Sequence, residues 1–427
     1  IRDSTYDDKY VLSGSIRWDR SNLWGTNSKY QNKPLWSVGG SWNIYKEKFF
    51  QADFVDMLKL RASYGIGGNI GRNTAPYLIA SYYDSSLVDG MAGSVNTPPN
   101  KDIRWEKTTT VNVGVDFALF RHRLSGTIEY YNKYSVDLLA AINGSPTQGF
   151  GYTTLMTNNG KMVNRGVEIT LSGEIIRQKD FSWNASLLYA FNRNKVKHIS
   201  VQPSLWDSRI SMPTSYPMVG KPLYGIYAYK WAGLNENGDP QVYDAENNVT
   251  SGPARDYHAL VYCGTTVPIH NASLTNVLRY KGFEFSAMLI LDAGHKLRSS
   301  NIPSINMSNG RITSTAKGIV DRWTQPGDVT DVPRLLFSND TENFNTHRTE
   351  LYRYSDLFVY DASNIRLSNI SLAYRVPAHW CKKISLSGAR LQFNVENVAT
   401  FAFDSKANYD LGGKVKPNYV WGLYLNF

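Results

Sequence analysis

The chain has 427 residues, 42% of them hydrophobic, 13% aromatic and 19% charged, with a formal charge of +10. Aromatic wealth and charged residues below the usual ~25% exclude a disordered chain, and no run of eighteen apolar residues exists to make a spanning helix. The cations are scattered and often sit singly between turns, as at Arg121, Arg123, Arg177, Lys179, Lys382 and Lys383, which excludes the clustered basic face of a nucleic-acid binder. Two classes stay open: a soluble all-β protein, and a membrane β-barrel whose strands hide their hydrophobicity by alternation.

Period two dominates from the start. Leu12, Gly14, Ile16 and Trp18 alternate with Ser13, Ser15, Arg17 and Asp19. Val38, Gly40, Trp42 and Ile44 follow, then Leu58, Leu60, Ala62, Tyr64 and Ile66. Val111, Val113, Val115, Phe117 and Leu119 precede Leu124, Ile128 and Tyr130. Val167, Ile169, Leu171 and Ile175 lead to Phe181, Trp183, Ala185, Leu187, Tyr189 and Phe191. Later strands are predicted near 271–281, 282–292, 364–375, 387–398 and 418–427, with a bulge near Asn369 where the facing slips. That makes twelve strands of the length a tilted strand needs to cross a bilayer. Two further short strands are expected around the Asn235-Glu236-Asn237-Gly238 turn.

The connections alternate in length. Short links follow Leu119, Ile176 and Tyr280, and moderate ones lie at 46–56 and 376–386. Long connections are expected at 21–34, 67–106, 135–161, 196–221 and 294–362. Short turns on one side and long loops on the other are the asymmetry of an outer-membrane barrel, periplasmic and extracellular respectively. The end of the chain fits: Tyr419, Trp421, Leu423, Leu425 and Phe427 share one apolar face, resembling the assembly signal of such barrels. Cys263 and Cys381 make neither a disulfide framework nor a metal quartet. Cys263 falls in a long loop and Cys381 on the short-turn side, across an apolar band about 25 Å tall. They are therefore expected not to pair with each other.

Several blocks resemble one family, the SusC/RagA-type TonB-dependent outer-membrane transporters of Bacteroidetes. They include Ile16-Arg17-Trp18-Asp19, Trp105-Glu106-Lys107-Thr108-Thr109 and Asn158-Asn159-Gly160-Lys161-Met162-Val163-Asn164-Arg165-Gly166. Tyr229-Lys230-Trp231-Ala232-Gly233-Leu234 with Gly238-Asp239-Pro240, Arg322-Trp323-Thr324-Gln325-Pro326-Gly327-Asp328 with Asp331-Val332-Pro333-Arg334, and Asp361-Ala362-Ser363-Asn364 complete the series in order. The resemblance implies an all-β, transmembrane antiparallel barrel of 22 strands plugged by an amino-terminal domain. Residues 1–427 would be the carboxyl-terminal 12–14 strands, completed by the rest of the same barrel, with plug and first strands elsewhere. Ile1 in place of an initiator Met fits a piece of a longer chain. The resemblance further implies import, not catalysis: a SusD-type surface lipoprotein lids the mouth, met by the 294–362 loop, and TonB–ExbB–ExbD pulls on the plug. Oligosaccharides are the first ligand expected and oligopeptides the second; a passive porin is the alternative of another class.

The residues themselves suggest where a ligand is met. Glu129, Glu168, Arg390 and Glu396, with Lys133, Gln392 and Asn394, fall on polar strand faces and can hydrogen-bond a hydrated solute. Trp24, Tyr82, Tyr83, Trp206, Tyr216, Phe337 and Phe344 fall in loops and can stack on sugars or grip side chains. Trp18, Trp42, Trp183 and Trp421 fall on apolar faces and are expected at lipid or its interface. No catalytic set and no cofactor is expected. The histidines lack ligand spacing, and no Gly-x-Ser-x-Gly elbow occurs. Gly65-x-Gly67-Gly68-x-x-Gly71 has the wrong spacing for a dinucleotide loop. Asp328 and Asp331 are the one candidate pair for a divalent cation.

Overall fold

The computed structural model describes residues 2–19, 34–69, 71, 76–145, 147, 154–202, 208–252, 256–307, 315–337, 346–383, 385–412 and 416–427. Among the described residues, thirteen strands share one sheet in chain order. They are β1 (Arg2–Tyr6), β2 (Tyr10–Trp18), β3 (Pro34–Asn43), β4 (Val55–Asn69), β5 (Glu106–Leu119), β6 (Leu124–Asn143), β7 (Thr154–Arg177) and β8 (Phe181–His198). Then come β9 (His270–Tyr280), β10 (Phe283–Ala293), β11 (Asn364–Arg375), β12 (Gly388–Ala402) and β13 (Asn418–Asn426). All twelve predicted strands are present, and β1 joins them. The bulge expected near Asn369 is there, as a register shift between Leu367 and Asn369.

Two predicted features differ. The 135–161 loop is mostly strand, because β6 runs on to Asn143 and β7 begins at Thr154. Register shifts between Ser135 and Leu139, with Asp137 at φ 57°, break the alternation that the period follows. The strands around Asn235–Gly238 form their own small sheet, Trp231–Leu234, Pro240–Tyr243 and Val249–Thr250, rather than a pair in the wall. Helices among the described residues are short, and none is long and apolar enough to cross a membrane.

The chain divides into two compact units. The first comprises Ile1–Gln202, Pro217–Leu223 and Ala272–Ser286. Antiparallel register there converts the period into rows, since directly paired residues share a face. Tyr10, Trp42, Leu60, Val115, Ile128, Ile169 and Tyr189 pair successively across seven strands. One residue along, the row reads Val11, Ser41, Arg61, Gly114, Glu129, Glu168 and Ala190. The first row is exposed at Leu60 (37%) and Ile128 (43%). Such a continuous apolar surface needs lipid, not water, against it.

Trp42 and Trp183 also use their polar edges: Trp42 donates to Glu47 at 3.0 Å and Trp183 to Asn276 at 3.1 Å. The Gly65–Gly68 stretch lies within β4, so it is strand and not a phosphate loop.

The second unit comprises Pro203–Tyr216, Tyr224–Asn271 and Ala287–Phe427. Its loops are not loose. Ile305, Tyr352 and Phe358 make a buried core against Trp231, Ile302, Leu357 and Tyr360. Tyr352 and Phe358 meet edge to face at 4.9 Å, a favoured geometry for aromatic pairs. At its end β13 pairs with β12, setting Tyr419, Trp421, Leu423 and Leu425 beside Val395, Phe393, Leu391 and Ala389. Trp421 packs on Phe393 at 4.2 Å yet stays 78% exposed, and Phe427 is 92% exposed. Both cysteines are free. Burial, reinforced by Asp356, pushes the Cys263 thiol up to about 11.

Candidate functional site

The polar face of the first unit gathers charge at one place. Arg61 on β4 donates through Nε to both Asp116 oxygens, at 3.3 and 3.2 Å, and its terminal nitrogen pairs with Glu129. Thr127 donates to Asp116 at 2.9 Å. Arg61 reaches β6 only by crossing β5, and it crosses at Gly114. A Cβ there would lie 3.0 Å from the guanidinium carbon. Glu168, cross-strand from Glu129, is exposed. Tyr131, on the same face, is laid over Gly166 of β7 in the same manner. Lys133 places its ammonium 4.9 Å from the Tyr131 ring. The face thus presents both signs of charge on a half-solvated surface, with the Tyr131 ring buried beside them.

The family-like blocks of this unit meet around the β6 bulge. Glu106 accepts from the Leu139 amide at 2.9 Å and from Asn69 at 2.8 Å. Asn158 donates to the carbonyls of Arg104 and Asp137 at 2.7 and 2.6 Å. Arg104 in turn donates to Asp137 at 2.7 Å. These side chains satisfy backbone groups that the irregular register would otherwise strand. Beside them a cleft of about 300 Å³ is lined by Trp36, Trp105, Glu106, Gly67, Gly68 and Asp137. Trp36 was not singled out from the sequence, while Trp105 was named only within a family-like block. The Trp-Glu pair opening β5 is the signal that marks the place.

In the second unit the corresponding blocks converge on Asp239. Arg334 grips it with two bonds at 3.0 and 2.8 Å, and Arg348 adds a third at 3.0 Å. Arg348, 3% exposed, also donates to the Ile305 carbonyl at 3.2 Å, to Asn306 at 2.5 Å and to the Arg334 carbonyl at 2.7 Å. Burial pulls Arg348 below the usual guanidinium range, and Asp239 opposes that pull. Gly238, at φ 74°, lets Trp323 lie directly against the backbone.

The candidate residues fall in different settings. Tyr82 and Tyr83 sit on a hairpin, Ile79–Ser85 paired with Gly90–Thr97, and are 72% and 53% exposed. Tyr216 is 8% exposed, and its carbonyl accepts from the buried Arg209 at 3.4 Å. Phe337 is half-buried in a two-residue strand parallel to Asn306–Met307. Arg390 pairs with Arg375 and Tyr424, and Glu396 with Asn369 and Asn418. Trp24, Trp206 and Phe344 lie outside the described residues.

Asp328 closes a turn, accepting from the Thr324 amide and hydroxyl, both at 2.8 Å, and from the Gln325 amide at 3.0 Å. Those bonds hold it below the usual carboxylate range. Asp331 accepts from the Trp231 indole at 3.0 Å. Among the described residues no three His, Cys, Asp or Glu side chains gather as a metal site would require.

Comparison with known proteins gives a consistent picture. The family described as TonB dependent receptor-like, beta-barrel matches residues 3–398. TonB-dependent receptor P3 of Formosa agariphila is 27% identical over 98% of this chain and 42% of its own length. TonB-dependent receptor SusC of Bacteroides thetaiotaomicron is 25% identical over 91% of this chain and 39% of its own. Among solved structures, the RagAB peptide transporter matches the whole chain and 47% of its own chain, with a TM-score of 0.79 at 23% identity. The chain thus spans less than half the length of these relatives.

Proposed function

This chain belongs to the TonB-dependent receptor-like β-barrel family of the outer membrane, and from that premise we propose that it forms the carboxyl-terminal wall of an energised importer of the SusC/RagA type. The observation that carries the reading is the two-faced sheet of the first unit. An exposed apolar row fits lipid, and the adjoining row from Arg61 to Glu168 offers hydrogen bonds to a hydrated solute. Binding and gating suffice for import, and no group in the wall needs to break a bond. The family assignment takes the place of both the passive porin and the soluble β-protein as the working reading.

Oligosaccharide is the first ligand proposed, because the exposed Tyr82 and Tyr83 rings suit sugar faces. Oligopeptide is the second, favoured by the mixed charges of Arg61, Glu129, Glu168 and Lys133. Arg390 and Glu396 are proposed as further polar contacts, and Phe337 as a loop contact. A SusD-type lipoprotein is the proposed lid, met by the 294–362 segment, and TonB the proposed source of work through the plug region of the same polypeptide.

The test is purification of the full-length protein with its lipoprotein, followed by mass spectrometry of the bound ligand. Tyr82→Ala with Tyr83→Ala should weaken ligand capture about fivefold, the scale of ~1 kcal/mol for an interface truncation. Unchanged capture would remove the hairpin from the ligand path. Absence of any co-purifying lipoprotein or ligand would count against the importer reading itself.

A further inference from the structure

Three strand-end turns of the first unit carry a pattern that import does not use, unlike the turn at Asp7–Lys9 and the link from Lys46 to Asp53, where acids and bases are mixed. The turns 120–123, 177–180 and 281–282 contain Arg121, Arg123, Arg177, Lys179 and Lys281, against the single carboxylate of Asp180. Backbone bonds tie neighbouring turns into one rim. The Phe120 amide donates to the Phe54 carbonyl at 2.8 Å, the Glu174 amide to Arg123 at 2.8 Å, and the Lys281 amide to Asp180 at 2.9 Å.

Nearby carboxylates balance only part of this charge. Glu174 pairs with Arg177 at 3.4 Å, Asp56 accepts from the His122 amide at 2.8 Å, and Asp53 lies exposed beside Phe54. Arg123 spends its guanidinium on the carbonyls of Glu174 and Ile175, at 3.2 and 3.1 Å. Arg121, Lys179 and Lys281 are exposed and make no ion pair among the described residues.

Exposed rings stand beside the cations. Phe54 and Phe120 stack at 5.9 Å and are 54% and 53% exposed; Tyr280 and Phe283 are 53% and 52% exposed. Lys281 holds its ammonium 5.3 Å from the Tyr280 ring. Phe120, Arg121 and His122 are all left-handed, at φ 58°, 59° and 60°, although none is glycine. A solvated rim accounts for the cations but not for four exposed rings among them. Rings at the edge of an apolar band lie in the membrane interface, and cations just beyond them lie at headgroup depth.

We propose that this rim binds the anionic phospholipid headgroups of the leaflet on the short-turn side. Charge complementarity selects anionic over zwitterionic lipid, and the rings fix the depth at which the phosphates are met. Each cation near an anionic surface favours binding by roughly fivefold.

The test uses the full-length protein extracted in mild detergent. It is exchanged into micelles doped equally with phosphatidylglycerol and phosphatidylcholine, and retained lipid is counted by native mass spectrometry. Preferential retention of phosphatidylglycerol is expected. The combined Arg121→Gln, Lys179→Gln and Lys281→Gln variant should lose that preference by at least roughly tenfold, while Arg121→Lys alone keeps it. Heat-modifiable gel migration shows that each variant is folded. Should the triple variant not fold, raised salt on the unaltered protein must abolish the preference. Equal retention of both lipids, an unchanged preference in the folded triple variant or in salt, or full displacement by soluble glycerol phosphate would overturn the proposal.

Discussion

The two units solve one problem in opposite ways. In the first, the backbone is satisfied by strand pairing, and side chains are sorted by parity into an apolar row and a polar row. In the second, the segments between the wall strands have only short ladders, so side chains also satisfy the backbone. Arg348 alone donates to the carbonyls of Ile305 and Arg334. Arg298 does the same for Tyr227, Arg353 and Ser355, at 2.6, 3.2 and 3.2 Å. Single side-chain changes are therefore expected to cost less in the wall than at the Asp239 centre of the loop body.

The strongest way to break that contrast is Asp239→Ala. It leaves Arg348, 3% exposed, and the partly buried Arg334 without their shared carboxylate. Removing one partner of a buried pair costs about 3–5 kcal/mol. Hydrogen exchange should speed up across 231–243 and 322–337 and leave β4 to β6 unchanged. Equal loss of protection in both units would erase the distinction.

Arg61→Ala in the wall should cost less. Its three side chains are 32%, 21% and 22% exposed, so solvent takes over part of their pairing. A loss of about 1–2 kcal/mol is expected, read as a small drop in the thermal unfolding of the detergent-solubilised protein. Glu129→Gln added to Arg61→Ala should recover part of it by removing one unpaired charge.

The smallest effect is one of pH. Burial lowers the pKa of His295, with Asp292 and Asp361 pulling the other way, and its Nδ1 is buried without a hydrogen-bond partner among the described residues. A histidine held neutral in the fold gives its full contribution above the unfolded value of ~6.5. That contribution is lost as pH falls through the lower folded value. Protection factors near His295, corrected for the intrinsic pH dependence of amide exchange, should therefore fall on acidification from pH 7 to 5, and His295→Gln should flatten the response. Protection that instead falls toward alkaline pH would reverse the sign and refute the account.

The sequence was informative wherever period two ran unbroken, and it failed where register was broken. Arg2–Tyr6 was missed because it is short and polar, with no apolar face to read. The stretch from Ser135 to Thr154 read as a loop because the bulges at Ser135–Leu139 shift apolar residues off the expected parity. Glu129 and Glu168 were legible as polar-face residues. Their direct pairing was not, because the period fixes a face but not a partner. The glycines that make the site, Gly114 and Gly166, carry no signal of their own. Their meaning is the side chain that crosses them.

The chain by itself determined that it is a two-faced β wall, because alternation is local and survives any arrangement of neighbours. It also determined the turn chemistry and the order of short and long connections. Tertiary structure alone decided which residues share a row, that Asp239 joins blocks about a hundred residues apart, and that Tyr216 is packed while Tyr82 is exposed. Those outcomes depend on register and on long-range closure, which no local pattern of residues encodes.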